Sequence, residues 1–197
     1  MGGLLVNAGC GPIGARLPAL FDDWQELRVD VDPAVKPNIV ASITDLSAIP
    51  SRSANAVWSA HCIEHLFAHD VARALAEFHR VLADDGFACI IVPDLQAIAQ
   101  YIGSDRLHET IYQSAAGPVT AHDMIYGLGS AIARGSTSMA HRCGFTPTVM
   151  LETLKQLPFA EIVLRRRPNL ELVAIARKQA DSADTATREA LIAALEL

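Results

Sequence analysis

The chain has 197 residues, of which 51% are hydrophobic and 19% charged, with a formal net charge of −6. That length suits one domain with a full core, and the acidic balance argues against sequence-blind binding to nucleic acid, which needs a basic surface. Cys10, Cys62, Cys89 and Cys143 show no C-x-x-C pairing and no histidine at zinc-ligand spacing, and no segment reaches membrane-spanning length; these features predict a cytoplasmic protein without a disulfide framework, metal site or membrane anchor.

The first element is the apolar run from Leu4, which climbs into a loop carrying Gly9 and Gly11. An apolar run flanked by glycine reads as a buried strand of a parallel sheet, and a helix is expected over Gly14–Phe21. Leu27–Asp30 reads as the second strand, Asp32-Pro33 as a capped turn, Asn38–Ala41 as a short third strand and Ala54–Ala60 as a central fourth. Apolar residues at helical spacing from Asp70 to Leu82 predict an amphipathic helix, with Asp84-Asp85-Gly86 as its stop. Phe87–Val92 is a fifth strand, apolar throughout. Strands and helices alternate from residue 4 to residue 92, which argues for a parallel sheet.

After a helix over Leu95–Ile102, the stretch to Thr146 has no clear period, and long irregular insertions tend to be lids or binding loops. Thr146-Pro147 opens a helix through Leu157. Ile162–Arg166 and Leu170–Arg177 then read as a hairpin closing the sheet, with Arg165-Arg166-Arg167 a solvated strand end or turn. The predicted organisation is an α/β domain over residues 1–178 with a lid at about 95–145, then a linker and short helix over 179–197.

Two glycines after a strand are weak evidence alone. Asp30 strengthens them: it lies 19 residues after Gly11, about where an acid grips ribose hydroxyls in nucleotide-binding βαβ units. Gly9-x-Gly11-x-x-Gly14 formally satisfies the dinucleotide pattern as well, which keeps an NAD-linked oxidoreductase as a rival.

More specific features follow. They are Leu5-Val6-Asn7-Ala8-Gly9-Cys10-Gly11; Val29-Asp30-Val31-Asp32-Pro33; Asp45-Leu46 with Ile49-Pro50; and Ala60-His61-Cys62-Ile63-Glu64-His65-Leu66 followed by Glu77-Phe78-His79-Arg80-Val81-Leu82. In order and spacing this set resembles the class I S-adenosylmethionine (SAM) dependent methyltransferases of the type-11 group, from residue 4 to about residue 178. The resemblance implies a Rossmann-like, doubly wound, mostly parallel seven-stranded sheet with a C-terminal hairpin, and SAM as cofactor. It further implies that Asn7, Gly9 and Gly11 underlie the methionine moiety and that Asp30, beside Val31, accepts from the ribose hydroxyls. Asp45 and the Leu46 N–H would take adenine, and His61 would line the sulfonium end. Where the family usually has an acid, this chain has Asn7.

Methyl transfer from a sulfonium requires alignment and exclusion of water, and a base only for a hydroxyl or protonated amine. Candidate catalytic groups are His65, His122 and His141, with Asp94, Asp123 and Tyr126 as further candidates; His141 could equally serve capping and packing. Glu77 and Arg80 read as a structural pair. The expected activity is methylation of an O or N of a small molecule, with no membrane or nucleic-acid partner. A catalytically inactive SAM-binding or sensing protein is the alternative, and a homodimer mate or partner subunit could cover the substrate side.

Overall fold

The computed structural model describes residues 2–14, 17–114 and 116–179, with 189, 192, 193 and 195. The chain begins with β1 (Leu4–Ala8), β2 (Gln25–Asp30), β3 (Ile39–Val40) and β4 (Ala54–Ala60), then α1 (Ala68–Val81) and β5 (Leu82–Pro93). An insertion follows, built from α2 (Leu95–Gly103), β6 (Thr110–Ser114), β7 (Gly117–Thr120), α3 (Ala121–Tyr126) and α4 (Gly129–Ala133). The sheet is completed by α5 (Pro147–Lys155), β8 (Glu161–Arg166) and β9 (Glu171–Arg177).

Seven strands form one sheet in the order β3-β2-β1-β4-β5-β9-β8, and only β9 runs against the others. This is the expected α/β, mostly parallel sheet with its C-terminal hairpin. Side chains alternate between two cores, as the pleat requires: Val6, Ala8 and Val57 meet α1 and α5 on one face, while Leu5, Ala56 and Trp58 face the other. On α1, Val71, Ala74, Leu75, Phe78 and Val81 form the buried stripe, the spacing of a core-facing helix.

The second face departs from expectation. No helix spans Gly14–Phe21 among the described residues; a 3-10 turn at Ala19–Phe21 follows Pro18 instead. Pro18 disfavours helical geometry at the residue before it. The turn seats Phe21 edge-on against Trp24 and Trp58, with ring centroids 5.2 and 5.9 Å apart.

The stop expected at Asp84-Asp85-Gly86 also differs. Helix α1 ends when Leu82 turns extended, and β5 begins there. Ala54 pairs with Leu82 but Ala56 pairs with Phe87, so the intervening residues bulge from the ladder. Gly86 is needed for close approach: a Cβ there would come within 3.0 Å of the Asn55 carbonyl oxygen.

The insertion is more ordered than its sequence texture suggests. Ile98, Val119, Ala121 and Met124 form its own small core, and a bridge between Asp94 and Phe145 closes its neck. The linker and helix expected over 179–197 fall largely outside the described residues; Leu195, which is described, is buried in the second core. Among the described residues no helix is long and apolar enough to cross a membrane.

Candidate functional site

A cleft of about 550 Å³ opens at the carboxyl ends of β1, β2 and β4, the edge where open α/β sheets bind ligands. Its floor is the Gly9–Gly11 turn. Gly9 (φ +78°) leaves β1 in a left-handed conformation, and a Cβ on it would lie 2.2 Å from the Cys62 Sγ. Gly11 (φ +59°) has nothing within 4 Å of where its Cβ would be. One glycine is therefore demanded by packing; the other keeps the cleft open to a ligand.

The loop is pinned from β2. Gly11 N–H donates to Asp30 Oδ2 at 2.9 Å, Asp32 N–H to Asp30 Oδ1 at 3.0 Å, and the Arg28 guanidinium to the Gly11 carbonyl at 2.6 Å. Asn7 is buried, and its amide donates to Glu26 Oε1 at 2.7 Å.

Asn7, Gly9, Gly11, Asp30, Val31 and His61 all line the cleft. Asp45 and Leu46 do not. The exposed Asp45 carboxylate accepts from Ser47 N–H (3.1 Å) and faces a separate hollow beside Arg73 and Arg80. Leu46 is buried, and its N–H already donates to Glu77 Oε2 at 2.7 Å. The chain borders the cleft at Ser42 and Ile43 instead, three residues earlier.

His61 follows β4 with φ +49°, a conformation uncommon outside glycine and often found at functional sites. Its Nε2 meets Glu171 Oε1 at 3.0 Å and its Nδ1 lies 3.4 Å from Glu64 Oε1. About 39% of the side chain is exposed, yet both nitrogens face carboxylates. Burial disfavours the imidazolium, but the hydrogen bond to Glu171 and the nearby Glu64 carboxylate outweigh it and raise the pKa to about 10. Glu171 is correspondingly held below the usual carboxylate range: burial would raise it, and His61 overcomes that.

A second hollow, of about 160 Å³, adjoins the cleft and shares His61, His65 and Met139 with it. Tyr112, Met124 and His141 form part of its wall. Burial pushes the Tyr112 hydroxyl up to about 12, so it stays protonated at neutral pH. The His65 and His141 rings meet edge to face at 4.8 Å. Burial lowers the His141 pKa from 6.5.

His122 lies elsewhere. It stacks on His108 (5.3 Å), meets the Tyr126 ring at a tilt (4.9 Å) and lines neither cavity. Asp94 is engaged structurally, capping α2 through Gln96 and Ala97 N–H and pairing with Arg166 at 2.8 Å. Asp123 lines the hollow, but its carboxylate closes a capping box with Thr120 and accepts from Gly129 N–H. Ser42, Ile43, Tyr112, Glu171 and Met139 carry no motif and surface only in three dimensions.

The sheet order also bears on the nucleotide. A dinucleotide fold uses the order 3-2-1-4-5-6 with parallel strands, whereas here an antiparallel β9 adjoins β5. The formal G-x-G-x-x-G match therefore does not extend to the sheet.

The type-11 family model, described as a methyltransferase domain, matches residues 6–90. No curated protein matches the chain. Among solved structures, 1,6-didemethyltoxoflavin-N1-methyltransferase from Burkholderia thailandensis, with bound 1,6-didemethyltoxoflavin and S-adenosylhomocysteine, is 16% identical. The likeness spans 91% of this chain and 72% of that one, at a TM-score of 0.54. PH0226 protein from Pyrococcus horikoshii is 14% identical over 91% and 83%, with a TM-score of 0.61. A TehB-like SAM-dependent methyltransferase from Corynebacterium glutamicum is 18% identical over 90% and 81%, with a TM-score of 0.52. At these identities the structures speak for the fold, and the family match speaks for the glycine turn and the strands around it. Residues 6–90 thus match the methyltransferase-domain family, and the described chain has the fold of the class I SAM-dependent methyltransferases.

Proposed function

We propose that this chain is a SAM-dependent methyltransferase acting on an oxygen or nitrogen of a small molecule seated in the hollow beside the cofactor cleft. The observation that carries the reading is the shared wall: His61, His65 and Met139 border both cavities, so a donor in one and an acceptor in the other are direct neighbours. The smaller volume suits a compact acceptor. The Burkholderia neighbour, which holds a small molecule and S-adenosylhomocysteine, supports the same class.

SAM supplies an activated methyl group on a sulfonium. Asn7, Gly9 and Gly11 would cradle its methionine end, where the absence of side chains lets a ligand lie on the backbone. Asp30 would accept from the two ribose hydroxyls, beside Val31. Ser42 and Ile43, rather than Asp45 and Leu46, would flank the adenine. His61, held by Glu171, would wall the reacting end and help exclude water, while His65 and His141 would face the acceptor. In-line transfer gains most from such alignment.

Calorimetric titration with SAM, S-adenosylhomocysteine and NAD tests this, followed by methyl release on candidate acceptors. SAM and S-adenosylhomocysteine should bind and NAD should not. Asp30→Ala should weaken SAM at least about tenfold, the loss of charge-assisted hydrogen bonds. Unchanged SAM affinity in that variant overturns the cofactor assignment, and turnover only on macromolecular acceptors overturns the substrate class.

A further inference from the structure

Glu64 is the least explained charge in the molecule. Its side chain is 1% exposed, and neither carboxylate oxygen has a hydrogen-bond partner. Its nearest cation is the His61 ring, whose Nδ1 lies 3.4 Å from Oε1 while its Nε2 engages Glu171, so one imidazolium is shared between two buried carboxylates. A buried carboxylate left this way is costly unless something compensates it. The Arg142 and Cys143 N–H groups donate to the Glu64 carbonyl, so the segment returning from the insertion is fixed against this residue. That places His141 beside it.

The potential ligand atoms of Glu64, His65 and His141 all lie within 4.8 Å of one another. Tetrahedral ligands bound about 2.1 Å from a shared ion stand about 3.4 Å apart, so closing the set takes on the order of one ångström per side chain. Both histidines are oriented for ligation. The His141 Nδ1 faces the Met124 carbonyl at 3.0 Å and the His65 Nδ1 faces the Ala140 carbonyl at 3.3 Å. A carbonyl only accepts, so each ring donates its Nδ1 proton there and keeps an unprotonated Nε2. Backbone carbonyls fix the tautomer and orientation of metal-binding histidines in this way.

We propose that Glu64, His65 and His141 form a binding site for a divalent first-row transition metal at the wall of the acceptor hollow. Two imidazoles and one carboxylate suit zinc or iron and leave positions open for an exogenous ligand. Because His65 and His141 line the hollow, an acceptor oxygen is the natural occupant of an open position. The metal would lower its pKa so that its proton passes to water, and the oxygen would take the methyl group as the S–CH3 bond of SAM breaks and S-adenosylhomocysteine leaves. This last step rests on the methyl-transfer reading; the metal site does not. Sequence spacing conceals it, since His141 comes from the far end of the insertion.

The test uses the full chain, freed of metal by chelation and titrated with Zn²⁺ against a chromophoric chelator, with Co²⁺ absorption as a spectroscopic readout. S-adenosylhomocysteine binding is measured separately, so failure of the metal site and failure of the cofactor assignment are distinguished. One Zn²⁺ per chain should bind, and His141→Ala and His65→Ala should each weaken it at least about a hundredfold. His69→Ala, on the exposed start of α1, should not. Glu64→Gln, nearly isosteric, serves if the histidine variants fold poorly: it should weaken Zn²⁺ binding by a comparable factor. Acetohydroxamate, an oxygen chelator, should shift the Co²⁺ spectrum of the loaded protein. The site is overturned if Zn²⁺ binds no tighter than about millimolar, or if binding survives these substitutions. An unshifted spectrum overturns the open position, and loss of turnover in His141→Ala without any metal binding assigns the histidines to acid–base work instead.

Discussion

Asp30 illustrates how a single side chain can be placed by sequence while its partners are not. Its distance from Gly11 follows from element lengths, and the structure puts it on the cleft with its carboxylate on Gly11 N–H. Gly9 is similar: the turn motif marks it, but only the packing reveals that Cys62 fills the space its Cβ would need. Gly9→Ala is expected to destabilise the fold by at least about 2 kcal/mol, from positive φ and the clash together, measured by chemical denaturation. The His61–Glu171 pair makes a pH prediction. His61, raised from 6.5 to about 10, contributes stability that is full below pH 6.5 and fades as pH rises toward about 10. Glu171, lowered from 4.5, contributes above pH 4.5 and loses its share as pH falls through its depressed value. Glu171→Gln should therefore cost most in melting temperature between pH 4.5 and 6.5 and little near pH 10. A cost independent of pH would mean the pair is not ionic.

Helix α1 shows the same division one level up. Its apolar stripe was readable as periodicity, and Glu77 with Arg80 as an i,i+3 pair; the pair does form, at 2.7 Å. Unreadable was its reach. Glu77 accepts from Leu46 N–H, and Arg80 donates to the carbonyls of Leu46 and Ile49 and to Ser51 Oγ. The helix thereby fastens the whole loop after β3, which is why Leu46 has no N–H to offer adenine. Arg80→Ala should lower stability by about 1–3 kcal/mol, by leaving these carbonyls and Glu77 without their partner. SAM affinity should change only a few-fold, since Arg80 lines the separate hollow; calorimetry and denaturation together check the split. The helix expected over Gly14–Phe21, absent among the described residues, is another element-scale lesson. Helical patterning from Gly14 was outweighed by Pro18 and by the demand of Trp24 and Trp58 for an aromatic neighbour.

For the whole molecule, ligand binding and folding are linked. S-adenosylhomocysteine at a hundredfold its Kd should stabilise the chain by about 2.7 kcal/mol, raising the melting temperature by about 5–10 °C at this size, with NAD giving no shift in scanning fluorimetry. Equal shifts from both nucleotides would return the dinucleotide reading. The strands themselves, helix α1, the glycine turn, the acid ending β2 and the closing hairpin were set by the sequence itself, because each depends on local periodicity or on spacing fixed by element length. Tertiary structure alone decided that Ser42 and Ile43 border the cleft, that the insertion has a core of its own, and that Glu64, His65 and His141 converge. Those outcomes depend on how a long insertion folds back over the sheet edge, and contacts between residues some 75 positions apart leave no period or spacing for a linear reading to detect.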